Sequence, residues 1–412
     1  MKNCEEIKEC IACGHTELTP VLNLREQPLA NSFKKTREEQ EDFFPLAINH
    51  CNHCYHVQLT HKVNPDLLFK NYLYVSGTTK TSLEYFDWFA DFAIENYGGT
   101  PRTVLDIGCN DGSQLDAFKK KSLETTGIDP AKNLHEVSSK KHNVICDYFN
   151  QYTFDSNEFF DIITCQNAFA HNFDQLGFLN KVSQIMGAYT KLYITTSQAN
   201  MIQNNEFDTI YHEHLSFYNI KSMNELCKRA GLSLIDVVKH PIHGLTNIFV
   251  ISKYQHRPNR IQNLINLEAL DGIYEKDTYK EYSRNCNSII KEFTEKIYSL
   301  RKEGYTIIGY GAPAKGNTLM NAALATPDFI IDDNPLKQGM YTPGVSVSVY
   351  GQDWLDKYAD VDRVCFVPLA WNFFDEIKSK IQAKRPDKND LFLRYFPFIK
   401  VETDTTLMHI QV

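Results

Sequence analysis

Apolar and polar positions along the chain fall into distinct regimes. Between residue 103 and about residue 253, short apolar runs at 103–107, 125–128, 143–146, 160–166, 191–196, 232–239 and 247–252 read as strands separated by helical or turn segments. Seven such strands, with the last two placed as a hairpin at one edge, predict a doubly wound, mainly parallel α/β sheet. Just upstream, Leu83, Phe86, Phe89, Ala90 and Ala93 recur at helical spacing and predict a helix leading into that sheet. The first 65 residues are instead short-stranded and punctuated by proline, which suits a small module. Beyond a polar stretch at 254–263 and a charge-rich helix ending near residue 303, a second α/β unit opens with a buried strand and glycine turn at 306–312 and a strand ending in acids at 329–334. The expected domains are therefore 1–65, 66–255 and 256–412.

Composition narrows the class. Hydrophobic residues make up 42% and charged residues 23%, as in soluble globular proteins. A formal net charge of −8 disfavours nucleic acid as a partner and leaves room only for a local basic pocket. The N-terminal residues lack the apolar core of a signal peptide, and no apolar run is long enough to cross a bilayer. A reducing, cytoplasmic setting without a membrane partner is expected. The 11 cysteines are then read as metal ligands before disulfides.

The strand Val104-Leu105-Asp106-Ile107 runs into Gly108-Cys109-Asn110-Asp111-Gly112, and a further acid, Asp129, follows about twenty residues on, where a second parallel strand should end. A dinucleotide site would show G-x-G-x-x-G, letting a pyrophosphate approach a helix N-terminus. Asp106 and Asp111 suit a cationic cofactor better. The pattern resembles the class I S-adenosylmethionine (SAM) methyltransferases. That resemblance implies that Gly108 passes beneath the cofactor and that Asp129 takes its ribose hydroxyls. Asp106, Asn110, Asp111, Gly112 and Asn167, the last just after the fourth strand, are assigned to the same cofactor site.

The N-terminal module carries Cys10-x-x-Cys13 and Cys51-x-x-Cys54. Two such knuckles present four thiolates to one tetrahedral ion and predict a closed, structural Zn2+ site, with a redox pair as the alternative. His15, His50, His53 and His56 lie nearby and read mostly as surface residues.

In the C-terminal unit, Gly309-Tyr310-Gly311-Ala312-Pro313-Ala314-Lys315-Gly316-Asn317 forms a glycine turn into a helix, with Lys315 in its first turn. Backbone amides and a lysine so placed suit a phosphate, although the Walker A order is absent. Before this unit lies Phe207-Asp208-Thr209-Ile210-Tyr211-His212-Glu213-His214, a dense run of ionisable and aromatic groups that is not H-E-x-x-H. Methyl transfer to carbon needs a base beside a carbonyl, and a histidine titrating near neutrality can serve, oriented by Tyr211 and Glu213. His171, after the fourth strand, and His243, at a strand entry, are further candidates to face the substrate.

Together these motifs resemble, over nearly the whole chain, the sugar C-methyltransferases that act on nucleotide-linked 4-keto-6-deoxyhexoses. The match rests on the four cysteines, Glu26-Gln27-Pro28-Leu29-Ala30-Asn31, the Gly108 loop, Ile210 to His214, the Gly309 to Gly316 loop, Lys337-Gln338-Gly339, Thr342-Pro343-Gly344 and Ala370-Trp371-Asn372. The resemblance implies a zinc-binding domain, a SAM domain and a Rossmann-like domain that helps hold a dTDP-, UDP- or GDP-linked keto sugar. It makes His214 the base at C3, with Tyr211, Glu213, Tyr72 and Tyr74 near the sugar. It places His171, His243, Tyr310, Lys315, Asn317, Lys337, Trp371 and Asn372 around the substrate. The departures are Thr195-Thr196-Ser197-Gln198 after the fifth strand and Gly244-Leu245-Thr246 after His243. Methylation of oxygen or nitrogen on a sugar or small metabolite is the alternative reading.

Overall fold

A computed structural model describes residues 3–69, 75–196, 200–242, 244–254, 258–386 and 388–403. The chain forms two compact units. The first comprises Met1–Leu22, Ala47–Asn200 and His212–Thr278, and the second Asn23–Leu46, Met201–Tyr211 and Tyr279–Val412.

The first unit is built on seven strands, β1 (Thr103–Ile107), β2 (Glu124–Ile128), β3 (Asn143–Ile145), β4 (Phe160–Gln166), β5 (Met186–Thr196), β6 (Ser233–His240) and β7 (Thr246–Ser252). Their order in the sheet is β6-β7-β5-β4-β1-β2-β3. β7 runs antiparallel between β5 and β6, and the other neighbours pair in parallel. Val104, Leu105, Ile162, Ile163, Leu192 and Ile194 are wholly buried, because helices cover both faces of a parallel sheet. This is the doubly wound, mainly parallel sheet with its last two strands as an edge hairpin that the apolar runs predict. A ligand site in such a sheet lies beyond the carboxyl ends of the strands.

The helix ahead of β1 spans Lys80–Glu95 and starts where Thr79 accepts a hydrogen bond from Ser82 N. It buries Tyr85, Phe89, Ala90 and Ala93, whereas Leu83 is 44% exposed. The buried stripe is therefore set by the i, i+4, i+8 series from Tyr85, and Leu83 does not belong to the core.

The two cysteine knuckles close against a small antiparallel sheet in which Val57–Leu59 lies between Phe43–Cys51 and Ser216–Phe217. Ser216 pairs with Gln58, and Phe217 with Val57. A capping box between Asn219 and Ser222 then starts the helix Ile220–Arg229, and Glu268 accepts from Ile220 N at 2.8 Å.

The second unit has six strands, β8 (Thr306–Tyr310), β9 (Phe329–Ile331), β10 (Val349–Tyr350), β11 (Val364–Pro368), β12 (Leu391–Arg394) and β13 (Lys400–Thr403). They are ordered β10-β9-β8-β11-β12-β13, all parallel except β13. The glycine turn after β8 enters the helix Ala314–Ala323 as expected. Segment 23–46 clusters with this unit, where Lys34 bridges to Tyr341 and Asn317 Nδ2 donates to Ala30 O at 2.7 Å.

Candidate active site

At the carboxyl ends of β1 and β2, Gly108 adopts φ +78°, and its N–H donates to Ile128 O at 2.8 Å. A Cβ on Gly108 would stand 2.6 Å from the Ala168 Cβ, so only glycine lets the loop meet the turn after β4 this closely. Gly112 has φ +82° and caps the helix Ser113–Lys120. Asp129 is buried, with Oδ2 accepting from Asn110 N and Oδ1 from Ala131 N, each at 2.9 Å. Each oxygen keeps a lone pair for a further donor. Asp106, deeper in β1, accepts from Thr164 Oγ1 at 2.6 Å, and burial pushes its carboxyl up to about 7.

Asn110 and Asp111 also organise the loop itself. Asn110 Oδ1 accepts from Ser76 N at 3.0 Å, and the Asp111 carboxylate accepts from Gly77 N and Ser113 N, both at 3.1 Å. The turn Ser76–Thr78 is thereby docked on the glycine loop, a contact with no sequence signature. Asn167 follows β4 at φ +52°, and its buried Oδ1 has no partner among the described residues, as is also true of Gln166 Oε1. Two orphaned acceptors and a buried carboxylate beside a glycine cradle fit a ligand rich in hydroxyl and amine donors, which is the chemistry of SAM's nucleoside and amino acid ends.

His171 ends the turn Phe169–His171 that Ala168 leads into. Its ring lies 5.1 Å from that of His214, and Leu215 N donates to Ala170 O at 3.0 Å. Desolvation lowers His171 to about 4, so its ring is neutral at pH 7. Glu213 and His214 are both buried. Tyr211 is half-buried and belongs to the second unit's segment Met201–Tyr211. Tyr72, Tyr74 and His243 lie outside the described residues.

The zinc ligands come together as the spacing required. Cys10 and Cys54 Sγ are 3.6 Å apart, Cys13 and Cys51 Sγ 3.5 Å, and all four fall within 4.8 Å of one another. A tetrahedral ion with Zn–S of about 2.3 Å requires sulfur–sulfur edges of about 3.8 Å. The four thiols fit Zn2+ with no position left open. Two nearby histidines correct the surface reading. His50 is 1% exposed, and His56 is fully buried, with Nε2 3.1 Å from Ser216 Oγ and Nδ1 3.4 Å from Ser222 Oγ.

In the second unit, Lys315 Nζ lies 4.9 Å over the Trp371 ring, and the Trp371 indole donates to Asp208 Oδ2 at 2.9 Å. Asp208 was passed over in the sequence although it stands in the run that leads to His214. It is wholly buried, which pushes its carboxyl up to about 7 against the opposing pull of Lys315. Lys337 Nζ donates to Ala312 O at 2.9 Å and sits 3.9 Å from Asp332. Tyr310 is buried and donates to Asp333 at 3.2 Å. Asn317 is buried, its Nδ2 donating to Ala30 O and its Oδ1 without a partner among the described residues, whereas Asn372 is half-buried.

Family models match the chain in succession. A zinc binding domain covers residues 10–69, a methyltransferase domain 79–237 and a C-methyltransferase C-terminal domain 242–397. The C-methyltransferase NovU of Streptomyces niveus is 27% identical over 387 residues, spanning 90% of this chain and 91% of its own length. Together the three models make the chain a methyltransferase with a C-methyltransferase C-terminal domain. The ubiquinone biosynthesis O-methyltransferase of Coxiella burnetii aligns at 27% identity over 169 residues only, 36% of the enzyme and 71% of that relative. Among solved structures, a SAM-dependent methyltransferase from Clostridium acetobutylicum ATCC 824 aligns with 41% of the enzyme and 91% of its own chain, at 11% identity and TM-score 0.34. The enzyme's cofactors are SAM and zinc. No helix among the described residues is long and apolar enough to cross a membrane.

Proposed function

We propose that the enzyme transfers a methyl group to C3 of a nucleotide-linked 4-keto-6-deoxy sugar, with His214 as the base that removes the C3 proton. The observation that carries this reading is the His171–His214 pair, set on a turn that abuts the Gly108 loop. A proton beside a ketone is acidic enough for an imidazole to take, and its loss leaves an enolate with carbon nucleophilicity at C3. A neutral His171 adds no second positive charge beside His214, so protonation of His214 meets no like-charge neighbour there. Tyr211 and Glu213 orient the base or stabilise the enolate oxygen, a role shared with Tyr72 and Tyr74. Bound SAM supplies the electrophilic sulfonium methyl, held by Asp129, Asn167 and the Gly108 loop.

The second unit carries groups suited to a nucleotide diphosphate. Lys315, in the first turn of Ala314–Ala323, offers charge and helix amides to a diphosphate, and Trp371 offers a face to the nucleotide base or the sugar. Lys337, His171, His243 and Asn372 complete the substrate set.

The test is His214→Asn. Turnover of a 4-keto-6-deoxy sugar nucleotide should fall by about 10²- to 10⁴-fold with the affinity for SAM unchanged. Retention of the full rate overturns the assignment of the base.

A further inference from the structure

The strand that follows His214 belongs to the sheet of the zinc module. Ser216 pairs with Gln58, and Leu59 N donates to Leu215 O at 3.0 Å. Gln58 is wholly buried opposite Ser216 and reaches the other knuckle, where its Oε1 accepts from Ile11 N at 2.8 Å and its Nε2 donates to Glu9 O at 3.0 Å, on either side of Cys10. His56, two residues past Cys54, lies with its ring nitrogens beside the hydroxyls of Ser216 and Ser222, and its ring 4.5 Å from that of Tyr218. Ser216 in turn donates to Gln175 Oε1 at 3.0 Å, at the start of the helix behind His171. Among the described residues, Leu215 and Ser216 are thus tied to the knuckle-bearing sheet, to the His171 turn and to Gln175.

We infer that the zinc module sets the position of His214, and that His56 is the positioning residue through which it acts. The inference rests on the reading of His214 as the base. Zinc fixes both knuckles, the knuckles fix Val57–Leu59 and His56, and these fix the strand Ser216–Phe217 to which His214 is joined. The metal is therefore required for the chemical step as well as for folding, although all four of its positions are closed.

The test uses the full-length, zinc-loaded enzyme and the variants His56→Ala, His56→Gln, Ser216→Ala and His214→Asn. Zinc content, calorimetric SAM affinity, kcat, KM and hydrogen exchange over residues 213–218 are measured for each. In His56→Ala, zinc and SAM binding should persist and KM should hold, while kcat falls about 100-fold, the loss expected from a misplacement near 1 Å. Exchange over 213–218 should rise while that of β1 is unchanged. His56→Gln, which keeps a donor and an acceptor at similar reach, should recover most of the rate. If His56→Ala does not fold, Ser216→Ala carries the same expectation. Full kcat in a folded, zinc-loaded His56→Ala or Ser216→Ala, with His214→Asn inactive, overturns the positioning role. Full kcat in His214→Asn instead overturns the base itself.

Discussion

The two α/β units carry the same construction after their first strands, and they differ in the charges set around it. In the first, Gly108 N bonds Ile128 O at 2.8 Å and Asp129 accepts from Asn110 N and Ala131 N. In the second, Gly311 N bonds Ile331 O at 2.7 Å and Asp332 accepts from Ala312 N at 2.6 Å and Asn334 N at 2.8 Å. Both glycines have positive φ, and each faces an alanine, Ala168 or Ala370, beyond the neighbouring parallel strand. Among the described residues no cation reaches Asp129, whereas Lys337 stands 3.9 Å from Asp332. The strand position two residues before each glycine also differs, Asp106 against Gly309. One backbone device is thus suited to ligands of opposite charge. Left uncompensated, the acid accepts hydroxyl and cationic donors, whereas neutralised by lysine it lets the loop amides face an anion.

The largest expected contrast is in cofactor affinity. Asp129→Asn should weaken SAM binding by about 10- to 100-fold, the worth of a charge-assisted hydrogen bond, while Asp332→Asn leaves it unchanged. Calorimetry decides, and equal losses in both variants would erase the distinction between the halves.

Next comes the charge at Asp106. Its folded value of about 7 lies above the ordinary carboxylate value, so the folded state binds the proton more tightly. That contribution is fully present below about pH 4 and is lost as pH rises through 7. Asp106→Asn should therefore remove up to about 2 kcal/mol of the decline in stability between pH 5 and 7, read as urea midpoints.

Lys337→Met should cost about 1 to 2 kcal/mol by leaving Asp332 without its cation. It should also raise KM for the sugar nucleotide without moving SAM affinity. A smaller contrast separates the glycines. Gly108→Ala, where the new Cβ would lie 2.6 Å from Ala168, should lower stability more than Gly311→Ala, where the nearest atom is at 3.1 Å. The difference should be about 1 kcal/mol in thermal melts.

Much of this was readable in the chain. Parallel strands covered on both faces are nearly continuous apolar runs, so the seven strands of the first sheet stood out, and each C-x-x-C carries its own geometry. The failures came where position depends on distant partners. Leu83 has helical spacing with Phe86 and Ala90, but the aromatic series from Tyr85 took the buried face. His56 looked like one of several exposed histidines, because nothing local announces Ser216 and Ser222, about 160 residues away, as its neighbours. Asp208 reads as an ordinary polar residue until Trp371 and Tyr395 close over it. Segment 23–46 shows no compositional tie to the C-terminal unit it clusters with, since that tie is made by Lys34 with Tyr341 and Ser346.

The measurement closest to the central claim is mass spectrometry of the enzyme with SAM and dTDP-, UDP- and GDP-linked 4-keto-6-deoxy sugars in deuterated water. The account predicts one added methyl group on one of these sugars and, in the absence of SAM, exchange of the C3 proton that His214→Asn abolishes. A methyl gained on oxygen or nitrogen, or one gained on carbon with no proton exchanged and an active His214→Asn, would contradict it.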